Sequence, residues 1–177
     1  AIDLGKHGQA EAMMSAGNTG AVVVASTLKL RKLEGVDRPA IAAIMPSPHK
    51  PFVLIDAGAN TVCAPLNLAQ FAAMGSVYAH EILHRERPVV GLMSIGTEET
   101  KGNEITRETF RVLSKSGLNF KGNIEGHDLF QGEIDVAVCD GFVGNVILKT
   151  SESVGHAVGT WIKQEFLAGP LRMMGAL

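Results

Sequence analysis

The chain has 177 residues, 46% of them hydrophobic and 19% charged, with 16 Lys and Arg against 18 Asp and Glu for a formal net charge of −2. A chain of this length and apolar content can bury a sizeable core as one domain, which excludes global disorder, and its near-neutral balance lacks the basic footprint that nucleic acid requires. Glycine is in excess, 20 of 177 against about 7% in average usage, so backbone groups are expected to do much of the chemistry.

Residues 1–12 read as the end of a helix whose beginning is absent, and the chain starts at Ala1, so a piece of a longer protein is expected. The apolar run Ala12, Met13, Met14, Ser15 reads as a short strand, followed by a loop at 16–20 and a helix over 21–33. Val22, Ala25, Leu28, Leu30 and Leu33 keep roughly helical spacing in that helix. A β-compatible stretch at 39–45 precedes the apolar strand Phe52, Val53, Leu54, Ile55, which runs into Asp56, Ala57, Gly58, Ala59, Asn60. Leu68, Phe71, Ala72, Val77 and Ile82 predict a helix over 65–84 with Pro65 in its first turn, although Gly75 and Ser76 interrupt the pattern.

A strand at 88–95 opens into Gly96, Thr97, Glu98, Glu99, Thr100, Lys101, Gly102, Asn103, Glu104. A helix over 105–116 with Phe110 and Leu113 inward, a strand over 118–124, a strand over 134–139 ending at Asp140, and a long helix over 142–166 complete the pattern. Continuous apolar strands alternating with helices imply an α/β fold, a three-layer α/β/α sandwich on a mostly parallel sheet, as a single domain over 1–177. In such sheets ligands collect at the carboxyl ends of the strands, marked here by loops at 16–20, 56–60, 96–104, 124–128 and 140–145.

Four of those loops carry candidate chemistry. The amides around Gly17, Asn18, Thr19 and Gly20, before a helix, suit an anion, although the segment is neither a Walker loop nor GxGxxG. Asp56 can accept hydrogen bonds from neighbouring loops or hold a substrate donor, and Asn60 offers a donor and an acceptor. Three carboxylates, Lys101, Asn103 and two hydroxyls crowd residues 96–104. Asp140 stands at a strand end, and Lys149, four residues after Asn145, needs a partner in an apolar turn, with phosphate and Asp140 as candidates.

Nucleophile and metal signatures are weak. No GxSxG elbow occurs, Cys139 closes a buried strand, and Cys63 has no evident activating base. Two cysteines without a pairing pattern suit a reducing, cytosolic compartment. His80-Glu81-Ile82-Leu83-His84 matches HExxH literally, but it lies far from the glycine loops and is read as coincidence, so no metal is assigned.

Taken together, SAGNTGA (15–21), RPAIA (38–42), LIDAGAN (54–60), QFAAMGSVYA (70–79), VGLMSIGTEETKGNE (90–104), NFKGNIEG (119–126) and VAVCDGFVGNVILKT (136–150) closely resemble the PlsX family of phosphate acyltransferases. Against that family the chain lacks the first βαβ portion and the closing strands, so about half of a family chain is present. The resemblance implies transfer of a fatty acyl group from acyl carrier protein to inorganic phosphate, giving acyl-phosphate for phospholipid synthesis. It also implies a fold like those of isocitrate and isopropylmalate dehydrogenases and phosphotransacetylase, a homodimer, peripheral membrane association of a cytoplasmic enzyme, and no cofactor.

The residues suit that chemistry, because phosphate is itself the nucleophile and the protein need only position it and stabilise an oxyanion. Gly17, Asn18, Thr19 and Gly20, with Lys101 or Lys149, are expected to bind phosphate, and Asn60, Asn103 or Asn145 to donate to the oxyanion. Asp56, Glu98 and Asp140 are expected to orient those donors, while His127 receives no role. The apolar tail 166–177 is a candidate membrane contact. Competing readings are a phosphotransacetylase-like enzyme using acyl-coenzyme A, and a non-catalytic fragment that binds acyl carrier protein; a dehydrogenase lacks its dinucleotide fingerprint here.

Overall fold

A computed structural model describes residues 1–168 of the chain. In chain order the elements are α1 (Ile2–Lys6), α2 (Thr19–Leu30), β1 (Ala42–Met45), β2 (Phe52–Ile55), α3 (Pro65–Leu83), β3 (Val90–Met93), α4 (Glu104–Leu113), β4 (Phe120–Ile124), β5 (Val136–Val138) and α5 (Gly141–Leu167). The chain divides into two compact units, Ala1–Gly144 and Asn145–Leu177. The first holds the entire sheet. From Asn145 on, no described residue is buried.

The sheet has the order β1-β2-β5-β3-β4. β2, β5, β3 and β4 run parallel, whereas β1 pairs antiparallel with β2, Ala42 facing Ile55 and Met45 facing Phe52. The link between β1 and β2, residues 46–51, is far too short for the dozen or so residues of a parallel crossover. The central strands are apolar on both faces: Phe52, Val53 and Leu54, and likewise Val136, Ala137 and Val138, are fully buried.

α3 and α4 pack on each other, α3 against β2 and β5 and α4 against β3 and β4, enclosing a core of Val53, Ile55, Leu68, Phe71, Val90, Leu92, Leu113, Val136 and Val138. α3 runs unbroken through Gly75, and the glycine is what permits its approach to the sheet. A Cβ there would come within 2.6 Å of Val136 and 3.0 Å of Ile55. Pro65 opens the helix, and Asn67 closes its first turn by accepting the Ala64 amide at 2.8 Å while donating to Asp37 at 2.6 Å.

One expected strand is absent. Residues 12–15 form no strand, Met14 being 96% exposed, so the loop at 16–20 follows no strand and belongs to no strand end. The run is built from alanine and methionine, residues with little preference for a pleated surface. α1 instead ties to α2 through the Lys29–Asp3 ion pair.

Candidate active site

Because β2, β5, β3 and β4 are parallel, their carboxyl ends lie on one edge of the sheet, and the loops 56–60, 96–104, 124–128 and 140–144 leave from it. A cleft of about 550 Å³ opens on this edge. Thr61, Val62, Cys63 and Leu68 line it from the β2 side, Leu92, Met93, Ser94 and Ile95 from the end of β3, Gly102, Asn103, Ile105 and Thr106 from the start of α4, and Cys139, Asp140 and Val143 from the end of β5. Its walls are largely apolar and carry one charged side chain, Asp140.

Asp56 organises the β2 side from beneath. It is fully buried, and its carboxylate accepts the amides of Ile41 (3.0 Å), Gly58 (3.1 Å), Ala59 (2.9 Å) and Asn60 (2.7 Å) together with the Asn60 side-chain Nδ2 (2.8 Å). With five donors on two oxygens, Asp56 has little capacity left for a substrate and serves as the anchor of its loop. Asn60 Nδ2 donates its second hydrogen to the Pro39 carbonyl at 2.7 Å. Both amide hydrogens of Asn60 are therefore committed, which removes it as an oxyanion donor. Two glycines complete this corner: a Cβ on Gly141 would meet the Asn60 backbone at 2.8 Å, and one on Gly144 would fall 1.9 Å from the Asp56 carbonyl oxygen.

The loop 96–104 forms the opposite wall. The Glu98 carbonyl accepts the Lys101 amide at 3.0 Å and the Asn123 side chain at 2.8 Å, closing a turn. Gly102 follows with φ +88, a conformation that favours glycine, and Asn103 caps α4. Asn103 Oδ1 accepts the Thr106 amide at 2.8 Å and the Thr106 hydroxyl at 3.0 Å, leaving Nδ2 without a partner at the cleft wall. Glu98 and Lys101 are exposed, 3.9 Å apart, lie across Gly96 and do not line the cleft.

Asp140 Oδ1 accepts the Val143 amide at 2.8 Å and so caps the first turn of α5. The two thiols beside it stay protonated at neutral pH. Burial, reinforced by the Asp140 and Asp56 carboxylates, pushes the Cys63 thiol up to about 11 and raises Cys139 further. Neither offers a thiolate nucleophile.

The remaining expected site residues lie elsewhere. Gly17, Asn18, Thr19 and Gly20 are exposed at the start of α2, where Asn18 Oδ1 accepts the Ala21 amide at 3.1 Å, and none of them lines the cleft. Asn145 and Lys149 belong to the second unit and are exposed, and Lys149 donates to Glu152 at 2.8 Å. His80 pairs with its neighbour Glu81 at 3.0 Å, and no group of three or more potential metal ligands forms among the described residues. His127 stands between Glu125 (3.6 Å) and Asp128 (3.3 Å). The tail 169–177, including Leu171, Met173 and Met174 of the expected membrane contact, lies outside the described residues; among the described ones no helix is long and apolar enough to cross a membrane.

Ser94, Thr106 and Asn123 were not singled out by sequence. Ser94 ends the apolar run of β3 and its Oγ is buried without a partner; Thr106 stands at the capping distance from Asn103; Asn123 is a polar residue at a buried strand position. Polar residues interrupting apolar strand patterns are the signal that identifies two of the three.

The model of the family described as "Fatty acid synthesis protein" matches residues 1–177. Among curated proteins, the phosphate acyltransferase of Aquifex aeolicus is 51% identical over 172 residues, covering 97% of this chain and 51% of its own length. That of Pelobacter propionicus is 49% identical over 177 residues, covering 100% and 51%. The chain thus spans about half the length of the curated relatives it matches. Among solved structures, a phosphotransacetylase from Streptococcus pyogenes is similar with a TM-score of 0.67 and 18% identity, over 88% of this chain and 54% of that one. A branched-chain phosphotransacylase from Enterococcus faecalis V583 is similar with a TM-score of 0.60 and 17% identity, over 88% and 63%. At these identities the structural likeness concerns the fold, the α/β/α arrangement expected from the sequence.

Proposed function

Since the chain belongs to the fatty acid synthesis protein family, we propose that its cleft receives the thioester end of an acyl donor and that the full-length protein transfers the acyl group to inorganic phosphate. The observation that carries this reading is the make-up of the cleft: apolar walls, a free neutral donor at Asn103, and two thiols held protonated. Such a site offers no thiolate nucleophile and suits a reaction in which the second substrate attacks. A phosphate oxygen forms the new C–O bond, the C–S bond breaks, and the proton that hydrogen phosphate gives up ends on the departing sulfur, so the products are acyl-phosphate and a free thiol. Asn103 Nδ2 donates to the thioester oxygen as charge develops on it, a preorganised donor aimed at the developing oxyanion. Asp56 and Asp140 hold the loops that form the cleft, and phosphate is bound by loop amides at its rim, with Lys101, one residue before the cleft-lining Gly102, supplying positive charge.

The donor in this reading is acyl carrier protein and the product feeds phospholipid synthesis. Homodimer assembly, a cytoplasmic location and contact of the tail with a membrane surface rest on the family resemblance alone. A coenzyme A thioester is the alternative donor, favoured by the phosphotransacetylase-like fold.

The test is phosphate-dependent formation of acyl-phosphate, trapped with hydroxylamine, by the full-length protein given acyl carrier protein or coenzyme A thioesters. Asn103→Asp retains an oxygen for the Thr106 cap but loses the N–H donors. It is expected to lower kcat by about 10²-fold with an unchanged thermal midpoint. No acyl-phosphate from the wild type with either donor overturns the function; an Asn103→Asp rate within about threefold of wild type, some 0.7 kcal/mol, removes Asn103 from it.

A further inference from the structure

We propose that Asn123 is a positioning residue for the cleft, acting through the Glu98 carbonyl on the segment that presents Asn103; the catalytic consequence rests on the acyl-transfer reading above. Asn123 lies on β4 opposite Leu92 of β3, and it is only 4% exposed. A carboxamide in such a position adds nothing to the sheet's apolar packing. Its oxygen has no hydrogen-bond partner, an arrangement that costs about 1–3 kcal/mol. The one bond the side chain makes goes out of the sheet, from Nδ2 to the Glu98 carbonyl at 2.8 Å.

That carbonyl is the fixed point of the loop. It also accepts the Lys101 amide, so residues 98–101 are closed into a turn whose pivot is held by β4. The chain then has no slack before the cleft. Gly102 has φ +88 and passes so close to Ser94 and Thr106 that a Cβ would lie 2.9 Å from both, and Asn103 is fastened by its Oδ1 to Thr106. With the far end tied to α4 and the near end tied to Asn123, the free Nδ2 of Asn103 is held in one direction. Releasing the near end leaves the cap in place but lets the donor wander, and displacements of about 1 Å in a reacting geometry can cost up to about a hundredfold in rate.

The experiment uses Asn123→Leu, with the same side-chain heavy-atom branching and no unpaired oxygen, and Asn123→Thr, a smaller residue suited to strands, in the full-length protein. Both are expected to keep the thermal midpoint within a few degrees and to lower kcat by about tenfold, with the KM for phosphate within about threefold of wild type. Trypsin is expected to cut after Lys101 several-fold faster in both variants, a readout that core packing alone does not move. Wild-type kcat and wild-type cleavage in the variants overturn the proposal, as does loss of folding in both, which would make Asn123 a fold residue. If the wild type forms no acyl-phosphate, the function fails by itself, and the Lys101 cleavage rate still decides whether Asn123 pins the loop.

Discussion

Asp56 illustrates what one side chain settles. As an acid after an apolar strand it is visible in the sequence as a loop residue with a role, yet whether that role is toward a substrate or toward the protein depends on how many donors surround it. Five do, and four are main-chain amides that have no other partner once the carboxylate is removed. Asp56→Ala is therefore expected to destabilise by more than about 3 kcal/mol in urea denaturation, since each buried amide left unsatisfied costs about 1–3 kcal/mol. Cys63 gives a pH signature with a definite sign. Its folded-state pKa lies near 11, above the 9.0 of an unperturbed thiol, so the folded state retains a proton that the unfolded chain releases. Stability from this group is full below about pH 9 and is lost as pH rises through about 11. The urea midpoint should fall between pH 8 and 10.5 by more in wild type than in Cys63→Ser, and iodoacetamide should label native Cys63 slowly until the pH approaches 11.

Among the elements, legibility followed the strength of the local pattern. The strand at Phe52–Ile55 and the helix at Pro65–Leu83 stand where apolar runs, helical spacing and an N-terminal proline put them. Residues 12–15 failed because four apolar residues say that something is buried but not against what, and no neighbouring strand takes them up. Gly75 was read as a flaw in the helix and is a contact. Ala at this position gains about 1 kcal/mol of helix propensity but forces a methyl to within 2.6 Å of Val136, and overpacking of that kind costs about 1–3 kcal/mol. Gly75→Ala is expected to lower stability despite the better helix former, which thermal unfolding of the two proteins would show.

At the scale of the molecule, the sequence by itself determined the α/β class, the parallel core and the family, because buried strands, crossover helices and long ordered motifs are properties of the chain in its own order. It also placed the chemistry-bearing loops at strand ends, with the single exception of 16–20. What it left open was which of their side chains have a hydrogen-bonding group to spare. Asn60, Asn103 and Asn145 are the same residue type in similar glycine-rich loops, and only folding distinguishes them: Asn60 spends both amide hydrogens on Asp56 and Pro39, Asn145 is exposed in the second unit, and Asn103 keeps its amide free at the cleft. The tertiary structure decided this because a donor's capacity is consumed by partners distant in sequence, as Pro39 is from Asn60 and Glu98 from Asn123, and such pairings exist only once the sheet has brought the loops together.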